Sequence, residues 1–269
     1  MLDIAGNLER VRERLARAAE RAGRRPADVL LIAVSKTVEV ERIRAAVAAG
    51  VVALGENRVQ EAKGKVAELG RAAAWHLIGH LQTNKAKDAV ELFDVIHSLD
   101  RVELARELER RAASRGQVVE ALLQVNVAAE ASKGGVGPDA VGETLDLVGK
   151  LSHVRVRGLM TIPPEVERAE DARPWFRRLR ELGERHGLRE LSMGMSHDFE
   201  VAVEEGATMI RVGTAIFGPR PPRTAEGRAL LRGVPARPRW RNCRPAVRSR
   251  ARRGGPLARR PARSGTRAA

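Results

Sequence analysis

One cysteine, no tyrosine and no long apolar run set the first limits on this chain. Cys243 has no partner for an internal disulfide and excludes a multi-cysteine metal site, so a reducing cytoplasm is the expected compartment. No apolar stretch approaches the roughly 18 residues of a membrane span, so no membrane partner is expected. The opening segment, MLDIAGNLERVRERLARAAERAG, lacks the apolar middle and small-residue cleavage site of a signal peptide. Its apolar residues instead recur at helical spacing among charges of both signs. The histidines follow no metal-ligand spacing: His76 and His80 fall at a strand end, not on an HExxH helix, and a satisfied structural role is expected for each.

Acidic residues are scarce in one region only. Residues 221–269 hold 15 of the 49 basic residues, all arginine, and one of the 34 acids, Glu226. Residues 1–220 therefore carry 34 basic and 33 acidic side chains, so the net charge of +15 belongs to the tail. A near-neutral body gives no electrostatic case for nucleic acid. The tail is rich in Arg, Pro, Gly and Ala, and its apolar periodicity stops near Leu231. Such a composition cannot offset its ordering entropy, and the segment reads as a disordered basic tail or a gene-boundary artefact. The competing reading is a nucleic-acid arm, although only Trp240 interleaves the arginines. Nonspecific attraction to polyanions at low salt is expected; sequence-specific binding is not.

What is present in 1–220 is alternation. An amphipathic helix over 3–22 precedes a buried strand, VLLIAVS at 29–35. Strands at 51–54, 75–79, 94–99, 118–127, 154–162, 190–194 and 208–213 follow. Helices at 39–50, 57–69, 84–92, 101–114, 138–151, 168–186 and 197–205 separate them. Eight strands joined by helical crossovers predict a parallel sheet closed as a single (β/α)8 barrel, with a doubly wound open sheet as the alternative. The expected division is a barrel in 1–220 and a tail in 221–269.

In such a barrel, chemistry collects at the C-terminal ends of the strands. Lys36 follows strand 1 and seven apolar or small residues, so it is either an amine aimed into the barrel mouth or a snorkelling surface lysine. Partial desolvation lowers an amine's pKa and makes it a carbonyl nucleophile. Gly194-Met195-Ser196 and Val212-Gly213-Thr214-Ala215 supply small residues and hydroxyls after strands 7 and 8, where barrels commonly cradle phosphate. The plainer reading makes Ser196 a helix N-cap. Arg211 lies between Ile210 and Val212 and needs a partner, either a carboxylate such as Glu56 or a cofactor's ring nitrogen. A lysine on strand 1 with a phosphate cradle opposite suggests a phosphorylated aldehyde.

The segments LIAVSKT, LGENRVQE, WHLIGHLQTNK, VNVAAEASKGGV, RGLMTIPP and LSMGMSHDFEVAVEEGATMIRVGTAIFG resemble the YggS/PROSC family of pyridoxal phosphate homeostasis proteins, from about residue 5 to Arg220. The resemblance implies the barrel of fold type III pyridoxal phosphate proteins, like the N-terminal domain of alanine racemase. It implies a Schiff base of the cofactor on Lys36, phosphate contacts from Ser196, Gly213 and Thr214, Arg211 at the pyridine nitrogen and Asn57 near the ring hydroxyl. Lys133 matches a second family lysine near the barrel mouth that can assist transimination. His197 departs from the acidic or small residue usual after the GMS. The implied job is to bind pyridoxal 5'-phosphate, buffer it and pass it to apo-enzymes. The implied protein is a non-catalytic, cytoplasmic monomer with a role in vitamin B6 homeostasis. A racemase of the tyrosine-base type is excluded, because the chain has no tyrosine and no length for a second β-domain. The alternatives are a pyridoxal-dependent enzyme acting on amino acids and a barrel aldolase that uses Lys36 without cofactor.

Overall fold

A computed structural model describes residues 2–130 and 133–219. The expected tail, 221–269, lies outside the described residues. Eight strands close a parallel barrel in chain order: β1 (Leu30–Val34), β2 (Ala53–Glu56), β3 (Ala74–Leu77), β4 (Val95–Leu99), β5 (Val119–Gln124), β6 (Val154–Met160), β7 (Glu190–Ser192) and β8 (Met209–Val212). Closure is made by β1 against β8, with Ile32 opposite Arg211 and Ala33 opposite Val212. The open-sheet alternative is thereby set aside. The helices are α1 (Ile4–Arg21), α2 (Val40–Ala48), α3 (Val59–Leu69), α4 (Ala86–Leu92), α5 (Val102–Ala113), α6 (Val141–Val148), α7 (Arg173–Arg185), α8 (Phe199–Glu204) and α9 (Thr214–Phe217).

The strand period explains two cores. Leu54, Trp75, Leu77, Ile96, Leu191, Ile210 and Val212 face outward and pack under the helices. Their alternates face inward, where only a small apolar cluster forms from Ile32, Ala53, Leu122, Met160 and Met209. The rest of the barrel interior is polar: His76, His97, Ser192 and Arg211 are all buried. Barrel interiors are usually filled by branched apolar layers, so this departure marks where function has displaced packing.

The front helix is integral. Asp3 caps α1 by accepting the Gly6 N–H at 2.8 Å. Ile4, Leu8, Val11 and Leu15 then recur on one buried face. Each is worth roughly 1.5–3 kcal/mol of apolar burial. Asn7 donates to the Ile216 carbonyl at 2.9 Å, tying α1 to the end of the barrel. Among the described residues, no helix is long and apolar enough to cross a membrane and no cluster of side chains has metal-ligating composition.

Candidate functional site

The residues expected from the sequence fall around the C-terminal ends of β1, β2, β7 and β8. Lys36 is half-buried in the turn after β1, and it takes part in an interaction with its surroundings. The turn is held on both sides. Lys65, on α3, donates to the Ser35 carbonyl at 2.6 Å, and the Ser35 hydroxyl donates to Glu56 Oε1 at 2.6 Å. The Thr37 N–H donates to Glu61, which fixes Thr37 at φ 61°, a left-handed conformation that is costly for a β-branched residue. Lys65 also bonds Glu56 Oε1 at 2.8 Å and Glu61 Oε1 at 2.6 Å. Lys36 thus sits on a segment clamped by a buried lysine and two carboxylates. Burial pushes the Glu56 carboxyl above its usual range, and Lys65 opposes that shift.

Glu56 is therefore not the partner of Arg211. Strand alternation turns Glu56 outward toward α3 and Arg211 inward, so the two occupy different layers. Arg211 is 3% exposed and donates to Ser192 Oγ at 2.7 Å and to the Thr161 carbonyl at 2.8 Å. Neither partner is a carboxylate. Burial lowers its pKa to about 10, with Asp198 acting in the opposite sense, so the guanidinium stays charged at neutral pH.

The strand-7 and strand-8 loops meet at Ser196. Its hydroxyl accepts the N–H groups of Gly213 at 3.3 Å and Ala215 at 3.4 Å. It does not cap α8, the helix that follows it: Asp198 precedes α8 and accepts the Met195 N–H at 2.6 Å. Gly194 adopts φ +89°, and a Cβ there would lie 2.5 Å from Ala202 Cβ. Gly213 passes close to β1, where a Cβ would lie 3.3 Å from the Val34 carbonyl oxygen. Glycine at both positions brings two backbone donors, Ser196 and the Lys36 turn into one corner. Thr214 opens α9 from this corner.

Asn57 follows β2 and its buried Oδ1 has no partner. Beside it lies a cavity of about 520 Å³ lined by Arg58, Gly79, His80, Gln82 and Lys85. Lys133 donates to the Pro163 carbonyl at 2.8 Å and pairs with Glu130 at 2.9 Å. His197 is exposed and bonds the Glu167 carbonyl at 3.1 Å. A larger cavity, about 920 Å³, opens at the opposite face under α1. No lysine lines it, so it offers no amine.

One amine, one hydroxyl, two backbone N–H groups, an amide oxygen without a partner and a guanidinium whose bonded partners are not carboxylates fit an aldehyde that also carries phosphate and a heteroaromatic ring. Sequence reasoning missed Lys65, which looks like any solvated helix lysine. The only hint was Glu61 one turn before it and Glu56 at a strand end. His76 and His97, on neighbouring strands, bond each other: His76 Nδ1 lies 2.8 Å from His97 Nε2.

That pair predicts an acid response. Burial holds His76 down to about 4, against an ordinary 6.5, and holds His97 well below 6.5 as well. A depressed histidine is neutral when folded and protonated when unfolded between those values, so its stabilising contribution is full above pH 6.5 and is lost as pH falls toward 4. For His76 alone the loss is about 3 kcal/mol at 1.36 kcal/mol per pH unit. Urea midpoints at pH 7 and 4.5 should fall less in His76→Gln than in the parent; equal falls would contradict a neutral buried His76.

Known proteins resembling this chain share its barrel. Residues 6–221 match the profile of the alanine racemase N-terminal domain. A pyridoxal phosphate homeostasis protein of Aquifex aeolicus is 49% identical over 226 residues, covering 81% of this chain and 99% of its own. One from Escherichia coli K12 is 41% identical, covering 82% and 98%. Among solved structures, PipY of Synechococcus elongatus PCC7942, with PLP bound, is 42% identical with a TM-score of 0.70, covering 80% of this chain and 100% of that one. An alanine racemase of Clostridium difficile 630, at 15% identity and a TM-score of 0.63, shares the fold, with 84% of this chain covering 59% of that one. Barrel and relatives agree: this chain belongs to the family of pyridoxal phosphate homeostasis proteins built on the alanine racemase N-terminal domain.

Proposed function

We propose that residues 1–220 hold pyridoxal 5'-phosphate covalently on Lys36, keep its intracellular level buffered and pass it to apo-enzymes. The observation that carries this reading is the corner between β1 and β8, where the Lys36 turn, Ser196 and the N–H groups of Gly213 and Ala215 come together above a buried, carboxylate-free Arg211. Pyridoxal phosphate, when bound, supplies an aldehyde that links reversibly to an amine. Lys36 provides the amine. Ser196, Gly213 and Thr214 hold the phosphate, and Asn57 uses its unpaired oxygen on the hydroxyl side of the ring. Arg211 faces the ring nitrogen.

Arg211 also argues for carriage rather than catalysis. A guanidinium only donates, so it leaves the ring nitrogen unprotonated, and an unprotonated ring is a poor electron sink for carbanions. The chain has no tyrosine to act as a base on the second substrate face. The relatives are named for homeostasis, and PipY was solved with PLP bound. The second reading, an enzyme acting on amino acids, is separated by turnover. The loaded protein, incubated with amino acids in deuterium oxide, should exchange the Cα proton no faster than free cofactor. Catalytic exchange well above that rate would overturn the carrier reading.

A further inference from the structure

Below Arg211 the barrel interior holds a continuous file of three buried polar side chains that the proposed function leaves unused. From the top, Arg211 donates to Ser192 Oγ at 2.7 Å. Ser192 Oγ lies 2.9 Å from His97 Nδ1, and His97 Nε2 lies 2.8 Å from His76 Nδ1. The residues come from β8, β7, β4 and β3, all at inward-facing positions, and each is at most 3% exposed. The file ends at the far face of the barrel, where His76 lines the cavity of about 920 Å³ beneath α1.

Chemistry gives this file a direction. Arginine has donors and no acceptor, so the Ser192 oxygen receives the first bond. The buried Ser192 hydroxyl then has one proton to place, and His97 Nδ1 is the acceptor in reach. Were His97 to donate instead, that proton would be buried without a partner, the more costly arrangement. An accepting Nδ1 leaves the His97 proton on Nε2, which donates to His76 Nδ1. His76 must then carry its proton on Nε2, facing the cavity. Every dipole in the file turns its negative end toward Arg211, which has no carboxylate in contact.

We propose that Ser192, His97 and His76 are positioning residues that form a one-way hydrogen-bonded file, hold the guanidinium of Arg211 in place for the cofactor ring and end as an N–H donor in the opposite cavity. The first half of this statement concerns the chain's own tautomers and needs no cofactor. The second half rests on the reading of Arg211 given above. Adjacent bonds in such a file polarise one another, so cutting one link weakens the grip at its end.

The test separates the two halves. In the full-length, cofactor-free protein, 15N–1H correlation spectra of the histidine side chains should show the proton on Nε2 and a bare, hydrogen-bonded Nδ1 for both His76 and His97. A proton on Nδ1 of either ring would overturn the direction. In Ser192→Ala, the His97 Nδ1 resonance should move to the position of an unbonded acceptor, the absorption band of bound cofactor should shift, and cofactor affinity should fall about tenfold, the loss of roughly one hydrogen bond. An unchanged band and affinity would overturn the positioning role. If the parent shows the stated tautomers but binds no pyridoxal phosphate, the file stands and the proposed function fails.

Discussion

Lys65→Met is expected to lower the stability of the barrel by about 3–5 kcal/mol, the cost of removing one partner from a buried ion pair. Its ammonium is the counter-charge for Glu56, which is fully buried, and it bonds Glu61 and the Ser35 carbonyl as well. Methionine fills the space but leaves the carboxylate uncompensated. Glu56 already sits above the usual carboxylate range through burial, and without Lys65 it rises further. A raised acid favours the folded state at low pH and loses that contribution as pH rises through the folded value. The deficit of the variant should therefore shrink on acidification. Adding Glu56→Gln should recover most of the loss, because the unpaired charge is then gone. Urea unfolding at pH 7 and 5 measures both. Because Ser35 and Thr37 flank Lys36, the single variant should also bind cofactor more weakly. A variant within 1 kcal/mol of the parent would show that the Lys36 turn does not depend on this clamp.

Gly194→Ala should act on the other wall of the site. The residue needs φ +89°, which costs an L side chain roughly 1–2 kcal/mol. Its Cβ would also stand 2.5 Å from Ala202 Cβ and 2.9 Å from Phe199 Cα, contacts that force the loop or α8 to move at a further cost of about 1–3 kcal/mol. The loop carries Ser196 two residues later, and the Gly194 carbonyl accepts the Arg211 N–H at 3.0 Å. Expected are a loss of about 2–5 kcal/mol in urea unfolding and a clear fall in affinity for pyridoxal phosphate, with inorganic phosphate competing less well. A variant that unfolds like the parent and binds phosphate as well would detach the Gly194 turn from the site.

Much of this was legible in the sequence because period and turn chemistry agree. VLLIAVS marked β1 within a residue at each end, and the eight crossovers predicted closure. The ends of strands were harder. The seventh strand stops at Ser192 rather than Gly194, because Gly194 leaves the extended region. The fifth stops at Gln124 rather than 127, because the Asn126 side chain turns back to bond the Glu130 and Lys133 carbonyls. The candidate site residues stand out in the sequence by their place at strand ends and by the family resemblance. Those that hold them do not, because a lysine inside an amphipathic helix gives no sign of burial. The partner of Arg211 was missed for a topological reason: only the inward or outward parity of each strand shows that it meets Ser192 and not Glu56.

Borohydride reduction of the protein loaded with pyridoxal phosphate, followed by peptide mapping, tests the central claim most directly. The account predicts a pyridoxyl group on Lys36, and no label or absorption band in Lys36→Ala. Label on Lys133 alone, or label undiminished in Lys36→Ala, would contradict it.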